Sequence, residues 1–323
     1  MTIEKLPSGS YRITEMHNRE RIRITVKEKP TKAEARELIQ EKISSFNDNT
    51  PFGEAAKNYI DSKRNVLSPS TIRGYIVILR NIDEKFLNTP LDKITNLKLQ
   101  SYINDISLRY KPKTVKNING FIVTVNKFYG LELKSPTLPK RSKEDAYIPT
   151  EEDIKRILNE VKDTKYEVPF TLAALGLRRS EICALSASDL NGNELLINKA
   201  YVEDENKEWH IKPTTKNDEI RTIVVPDRIA ELIRKNGVYD SSPHSIYSAL
   251  KRYQDKLGIP RFPLHKMRHF FASYMHDQGY TDKQIQEFGG WKTDEVMKTV
   301  YQHAMKMDEV KKKMATNIGS LLE

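Results

Sequence analysis

The chain has 323 residues, a mass of 37.4 kDa, a formal net charge of +10 and a pI of about 9.3. That length exceeds one compact core of ordinary size, so two or three domains are expected, and the basic balance fits either a polyanionic partner or a merely soluble basic surface. The single cysteine, Cys183, excludes an internal disulfide and cannot build a zinc site alone, and no apolar run nears the roughly 20 residues of a membrane span.

Met1 to Ser10 lacks the apolar stretch of a secretory signal, so a cytoplasmic, nucleoid-associated protein with no membrane partner is expected. From Ser10 to Lys29 apolar and basic residues alternate, with Ile22, Ile24 and Val26 on one face and Arg21, Arg23 and Thr25 on the other. This period of two predicts strands with one wet, basic face. Tyr11, Arg12, Arg21, Arg23 and Lys27 are the candidate contacts if that face reads a DNA groove; a solvated charged face explains the pattern equally well. Pro30 and Thr31 then introduce an amphipathic helix with Ala35, Leu38, Ile39 and Ile43 inward.

Asn47 to Pro51 is a turn-rich break. Beyond it the periodicity predicts four helices, near Phe52 to Arg64, Ser68 to Phe86, Thr95 to Arg109 and Lys113 to Tyr129. Tyr59, Ile72, Tyr75, Leu79, Ile82, Phe86, Tyr102, Ile106, Ile122, Val125 and Phe128 form the predicted bundle core, with no cofactor stripe among them. Two helix starts gather basic and hydroxyl residues: Ser70, Thr71 and Arg73 at one, and Lys111, Lys113, Thr114, Lys116 and Asn117 at the other. Helix N-termini with such side chains suit phosphate contacts.

Lys134 to Asp145 is charged and proline-rich, a linker by composition. Pro149 to Asp153 opens a helix with acids in its first turn, and helices follow through Leu185. Strands are predicted at Glu194 to Ile197, Glu208 to Lys212 and Arg221 to Val225, with Thr214 to Glu219 as a polar hairpin between the last two. Helices resume at Pro226 and run to about Met314.

Four separated spots stand out, each weak alone. Gly176 to Glu181 carries a double arginine at a helix junction, and Thr214 to Glu219 carries Lys216 at its tip. His265 and Arg268, three apart, share a helix face, and Gly289-Gly290-Trp291 precedes Tyr301 by a short helix. Together they supply phosphoryl transfer without a metal or cofactor. Arg178 and Arg268 can each clamp a phosphodiester in bidentate fashion. Lys216 can protonate a departing 5′ oxygen, His265 can relay protons, and Tyr301 is the nucleophile, an unreactive one without such neighbours because its pKa lies near 10. No Asp/Glu cluster of metal-binding spacing accompanies these residues, which argues against a magnesium nuclease.

The stretches Ala174 to Glu181, Leu264 to His269 and Gly289 to Trp291, followed by Tyr301, resemble the signature boxes of the tyrosine recombinases, specifically the phage and conjugative-transposon integrases. The ordered set is specific where each box is not. The resemblance implies that Arg178 and Arg268 clamp phosphate and that His265 belongs to the His-x-x-Arg box. It also makes Lys216 the hairpin general acid, with Lys212 close enough to compete, and Tyr301 the residue that forms a 3′-phosphotyrosyl link. Trp291 stands where the family most often has histidine; it donates one hydrogen bond and packs but shuttles no proton. Glu181 is expected to orient an arginine or cap a helix, and Arg179, where the family is commonly aliphatic, has no physical account.

The fold class expected is mainly α with small β elements (α+β). An N-terminal three-stranded sheet plus helix would form an arm-type DNA-binding domain (1–46), a four-helix bundle the core-binding domain (47–135) and 136–146 the linker. A mostly helical catalytic domain with a small sheet would occupy 147–323. The implied function is site-specific integration and excision of a mobile element without ATP. Its partners are double-stranded DNA at core and arm sites and three further copies in a tetramer on DNA. A directionality factor and a host DNA-bending protein are candidate accessories. A type IB topoisomerase and a non-catalytic DNA-binding regulator are the alternatives.

Overall fold

The computed structural model describes residues 1–17, 20–44, 50–140, 147–213, 220–291 and 293. The chain divides into two compact units, Met1–Lys143 with Glu203–Glu208, and Glu144–Val202 with Trp209–Glu323.

The first unit opens with an antiparallel sheet, β1 (Thr2–Lys5), β2 (Tyr11–His17) and β3 (Glu20–Val26), in the order β1-β2-β3. Period-two alternation puts Ile13 opposite Ile3 and Ile24, and this face packs on Ala35, Leu38 and Ile39 of α1 (Lys32–Ser44). Arg12 opposite Thr25, and Thr14 opposite Arg23, form the other face. Tyr11 pairs with Val26, two residues from Ile13, and so belongs to the apolar face rather than the basic one. That corrects its expected place: the register fixes the side of every residue in the strand. The same period of two counted back from Ile13, rather than forward from Ser10, gives this side.

The bundle follows with α2 (Phe52–Lys63), α3 (Pro69–Arg80), α4 (Glu84–Leu87), α5 (Asn96–Ser107) and α6 (Pro112–Phe128). Its core joins Phe52, Phe86, Tyr102 and Phe121, with Phe86 stacked on Tyr102 at 4.1 Å between ring centroids. Phe128, expected inside, is 38% exposed at the end of α6. The single helix predicted over Ser68 to Phe86 is two helices. Asp83 is extended (φ −64°, ψ 144°), its amide donates to the Tyr102 hydroxyl and its carboxylate takes Arg109 at 2.8 Å. A tertiary hydrogen bond and ion pair hold the break that the apolar spacing bridges.

The second unit begins with α7 (Glu151–Glu160), which Thr150 and Asp153 start as a capping box. After α8 (Glu167–Ala174) and the one-turn α9 (Arg179–Ile182) comes the sheet β4 (Leu190–Asn191), β5 (Glu194–Ile197) and β8 (Arg221–Val224), in the order β4-β5-β8. A separate two-stranded sheet pairs β6 (Ala200–Glu203) with β7 (Trp209–Lys212). Thr214 to Glu219, the expected hairpin, lies outside the described residues; among the described residues the strands on either side of it, β7 and β8, belong to different sheets. The reason is local. Asp204 accepts from the amides of Asn206 and Glu208, and Lys207 adopts φ +67°, which closes a tight turn between β6 and β7.

Helices α10 (Asp227–Asn236), α11 (Pro243–Leu257), α12 (His265–Asp277) and α13 (Asp282–Gly289) complete the described part. The core runs from Ile154 and Phe170 through Leu195, Ile197 and Ile223 to Ile246 and Met267. Cys183 packs half-buried against it, and burial pushes its thiol up to about 12. Among the described residues no helix is long and apolar enough to cross a membrane.

Candidate active site

The site forms where the α8–α9 turn, strand β8, the start of α12 and the end of α13 meet. Gly176 has φ +92°, and a Cβ there would lie 2.9 Å from the Phe271 ring, so only glycine lets the chain turn against α12. Arg178 follows, extended and partly buried. Its Nη1 donates to Glu181 Oε1 at 2.6 Å and its Nη2 to the Gly290 carbonyl at 2.7 Å. The Glu181 carboxylate, 1% exposed, also accepts the Arg178 amide at 2.9 Å, so it both caps the turn and orients the arginine.

Arg268 enters from α12 and is 7% exposed. Its Nη1 donates to the carbonyls of Gly176 and Gly289, and its Nη2 to that of Gly290 at 3.0 Å. Trp291 lies over it, ring centroid 3.8 Å from the guanidinium carbon, and stacks on Phe271 with 12° between planes. With Ala272 and Ile285 these two rings make a small satellite core. The paired glycines are required by this packing. A Cβ on Gly289 would fall 1.7 Å from the indole, and Gly290 has φ +65° as the left-handed cap of α13.

His265 is exposed at the first position of α12, its ring 5.4 Å from that of His269 one turn on. Burial, then the charges of Lys266, His265 and Arg268, press the His269 pKa down to about 4, so this imidazole is neutral at pH 7.

The structure thus gathers Arg178, Arg268 and Trp291 around the two carbonyls that end α13, with His265 on the same helix as Arg268. Lys216 and Tyr301 lie outside the described residues. Lys212, the competing lysine, ends β7 and is half-buried. Of the candidate DNA contacts, Arg12 and Arg23 share the outer sheet face, Arg21 stands in the same register class opposite Met16, and Lys27 is exposed just past β3. Lys111, Lys113, Lys116 and Asn117 are exposed and Thr114 half-buried at the start of α6, which carries no acid in its first turn. Ser70, Thr71 and Arg73 line the start of α3, and Arg73 is taken by Glu203 at 2.5 Å. The β6–β7 turn also brings ligand atoms of Asp204, Glu208 and His210 within 4.8 Å of one another, a group that spacing alone did not reveal. It is largely exposed, and such groups are common without an ion.

One residue escaped the sequence reading altogether. Arg221 is 9% exposed on the inward face of β8, donating to Glu181 Oε2 at 2.7 Å and to the Phe288 carbonyl at 3.0 Å. The available signal was its place two residues before Ile223, at an inward position of a strand where an arginine requires a partner. Burial alone would raise the Glu181 carboxyl, but the hydrogen bond and charge of Arg221, with the charge of Arg178, hold it below its ordinary value. Three guanidiniums against one carboxylate leave a formal excess of positive charge, and that arrangement suits a bound phosphodiester.

Two family models match the chain: the phage integrase family over residues 149–307, and the SAM-like N-terminal domain of phage integrases over residues 51–107. The first stretch contains every catalytic candidate from Arg178 to Tyr301. Among curated relatives, the tyrosine recombinase XerA of Thermococcus onnurineus is 27% identical over 271 residues, 73% of this chain and 85% of the relative. XerA of Pyrococcus furiosus is 28% identical over 241 residues, 69% and 80%. Among solved structures, the Tn1549 transposon integrase in complex with transposon right end DNA aligns with a TM-score of 0.67 at 16% identity, over 83% of this chain and 99% of that one. A lambda integrase tetramer bound to a Holliday junction gives 0.58 at 15% identity, over 92% and 94%. At these identities the structural likeness establishes a shared α+β fold. The sequence matches place the chain in the phage integrase family of tyrosine recombinases.

Proposed function

We propose that this chain is a site-specific DNA recombinase that integrates and excises a mobile element through a 3′-phosphotyrosyl intermediate. The observation that carries the reading is the meeting of Arg178 and Arg268, with Trp291 over the latter, at the Gly289 and Gly290 carbonyls, twelve and eleven residues before Tyr301 in sequence. A scissile phosphodiester held between the two guanidiniums has the charge on its non-bridging oxygens stabilised as it grows. The Tyr301 oxygen attacks phosphorus, the bond to the 5′ oxygen breaks, and Lys216 supplies the proton that leaves with it. His265 takes the tyrosine proton and returns it when a partner 5′ hydroxyl attacks the phosphotyrosine and reseals the strand. Each step exchanges one phosphodiester for another, so ATP is unnecessary.

Exchange of two duplexes needs four tyrosines, hence a tetramer on DNA. The solved relatives bound to transposon DNA and to a Holliday junction support double-stranded DNA as the partner. In this reading residues 1–46 bind arm sites through Arg12, Arg21, Arg23 and Lys27. Residues 47–135 bind the core site through the starts of α3 and α6, and 147–323 do the chemistry beyond a linker at 136–146. Phosphate contacts at α3 and α6 draw on helix N-termini free of acidic first-turn residues. A directionality factor and a host DNA-bending protein would act on the same complex.

The test uses a nicked duplex from the DNA flanking the gene, so that cleavage releases a short strand and traps the covalent complex. Wild-type protein should yield a denaturant-resistant adduct, and Tyr301→Phe should bind equally and yield none. An adduct through another residue removes Tyr301 from the mechanism. Relaxation of arbitrary supercoiled plasmid without recombination would favour a type IB topoisomerase, and unchanged activity in Tyr301→Phe a non-catalytic regulator.

A further inference from the structure

Arg221 has no role in the chemistry above, yet it touches both Glu181, the carboxylate that holds Arg178, and the Phe288 carbonyl just before the Gly289–Gly290 turn. Its Nη2 donates to Glu181 Oε2 at 2.7 Å, its Nη1 reaches Oε1 at 3.4 Å, and its Nε donates to the Phe288 carbonyl at 3.0 Å. Glu181 shares the same two oxygens with the side chain and amide of Arg178, at 2.6 and 2.9 Å. A Cβ on Gly290 would lie 2.7 Å from Arg221 Nη1, so the guanidinium fills the space that a side chain at 290 would need.

The consequence is a matter of charge. Glu181 paired with Arg178 alone would make a neutral couple, and an arriving phosphate would have to compete with a buried carboxylate for the guanidinium. With Arg221 shared into the group, one positive charge remains over. In a site with little water that difference is felt strongly. The Phe288 contact adds a mechanical link, because Gly289, Gly290 and Trp291 follow immediately.

We propose that Arg221 is a positioning residue of the strand-transfer site: it shares Glu181 so that Arg178 keeps its charge for phosphate, and it anchors the Phe288 carbonyl so that the turn before Tyr301 is fixed. The cleavage half of this inference rests on the recombinase reading; the anion half does not.

The experiment therefore has two readouts on the full chain. Inorganic phosphate is titrated against Trp291 emission in a Trp209→Phe background, which leaves Trp291 as the only indole of the two in the chain. Single-turnover cleavage of the nicked duplex is measured alongside, with circular dichroism to confirm folding. Arg221→Met should weaken phosphate binding and slow cleavage, each at least about tenfold, as loss of one net charge in a partly dry site implies. Adding Glu181→Gln to Arg221→Met should restore phosphate affinity to within about threefold of the parent, because the unbalanced carboxylate is gone. Arg221→Lys keeps the charge and cannot make all three contacts, so phosphate binding should survive while cleavage stays slow; it carries the test if Arg221→Met does not fold.

Four outcomes overturn the proposal: no saturable phosphate response in the parent, parent-like phosphate binding in Arg221→Met, a double variant that binds more weakly than the single, or parent-like cleavage in Arg221→Lys. The third is what two merely structural contacts would give. If the phosphate pattern holds and no protein, parent included, forms a covalent complex, the recombinase reading fails and the charge-sharing role stands. If the parent cleaves and the phosphate pattern is absent, the recombinase reading stands and the Arg221 role fails.

Discussion

Replacing Arg268 by lysine tests whether this arginine, the proposed second phosphate clamp, is built into the protein or merely displayed by it. The guanidinium donates to three backbone carbonyls, those of Gly176, Gly289 and Gly290, and supports the Trp291 ring at 3.8 Å. A lysine keeps the charge and has no planar fork, so it can serve one of these carbonyls well; Gly290 keeps Arg178 as a donor, and at least one of the Gly176 and Gly289 carbonyls is left without a charged donor beside a side chain only 7% exposed. An unsatisfied buried polar group costs about 1–3 kcal/mol, and that is the expected loss of stability. For a domain of this size each kcal/mol lowers Tm by about 2–4 °C, which predicts a drop of roughly 2–12 °C. Cleavage of the nicked duplex should fall at least about 100-fold, as it does when an oriented donor to a developing oxyanion is removed. DNA affinity should change little, since most binding comes from many phosphate contacts elsewhere. Differential scanning calorimetry, fluorescence anisotropy and single-turnover cleavage separate the three effects. A variant that loses cleavage but melts within 2 °C of wild type, roughly the shift from 0.5–1 kcal/mol, would refute the structural half of the reasoning, because the carbonyl contacts would then not be made in solution.

Two further substitutions probe the same site from other sides. Gly290→Ala places a Cβ at φ +65° and 2.7 Å from Arg221 Nη1; the left-handed conformation alone costs about 1–2 kcal/mol, so a visibly lower Tm and slower cleavage are expected, and wild-type behaviour would show that the turn relaxes without cost. His269 is held neutral down to a pKa of about 4 by burial and by Lys266, His265 and Arg268. Its folded pKa lies below the unfolded value near 6.5, so the unfolded chain takes up the proton first and stability falls as pH drops from about 6.5 to 4. The loss amounts to about 2–3 kcal/mol, and urea titrations across that range should show a flatter profile for His269→Gln than for wild type; parallel profiles would remove His269 as the source.

What the sequence made legible was most of what is decided within a turn of helix or a few residues of strand, Tyr11 excepted. The alternation around Ile22, Ile24 and Val26 put the right residues on the apolar face, and Thr150 with Asp153 marked the start of α7 as a cap does. The ordered boxes from Arg178 to Trp291 were visible too, because each is a short local pattern. Where local signals were followed across a tertiary constraint they misled. Asp83 breaks a helix that apolar spacing carries through, and the β6–β7 turn captures a strand that looked paired with β8.

The sequence by itself therefore pointed to the family, to most of the elements and to the arginines proposed to clamp phosphate. Only the tertiary structure decided how those arginines are held. The bonds that do so join Arg178 to Gly290 across 112 positions, Arg268 to Gly176 across 92 and Arg221 to Glu181 across 40. Periodicity and capping act over three or four residues. A buried charge finds its partner through the packing of whole elements, and no local pattern records which carboxylate or carbonyl that packing brings to it.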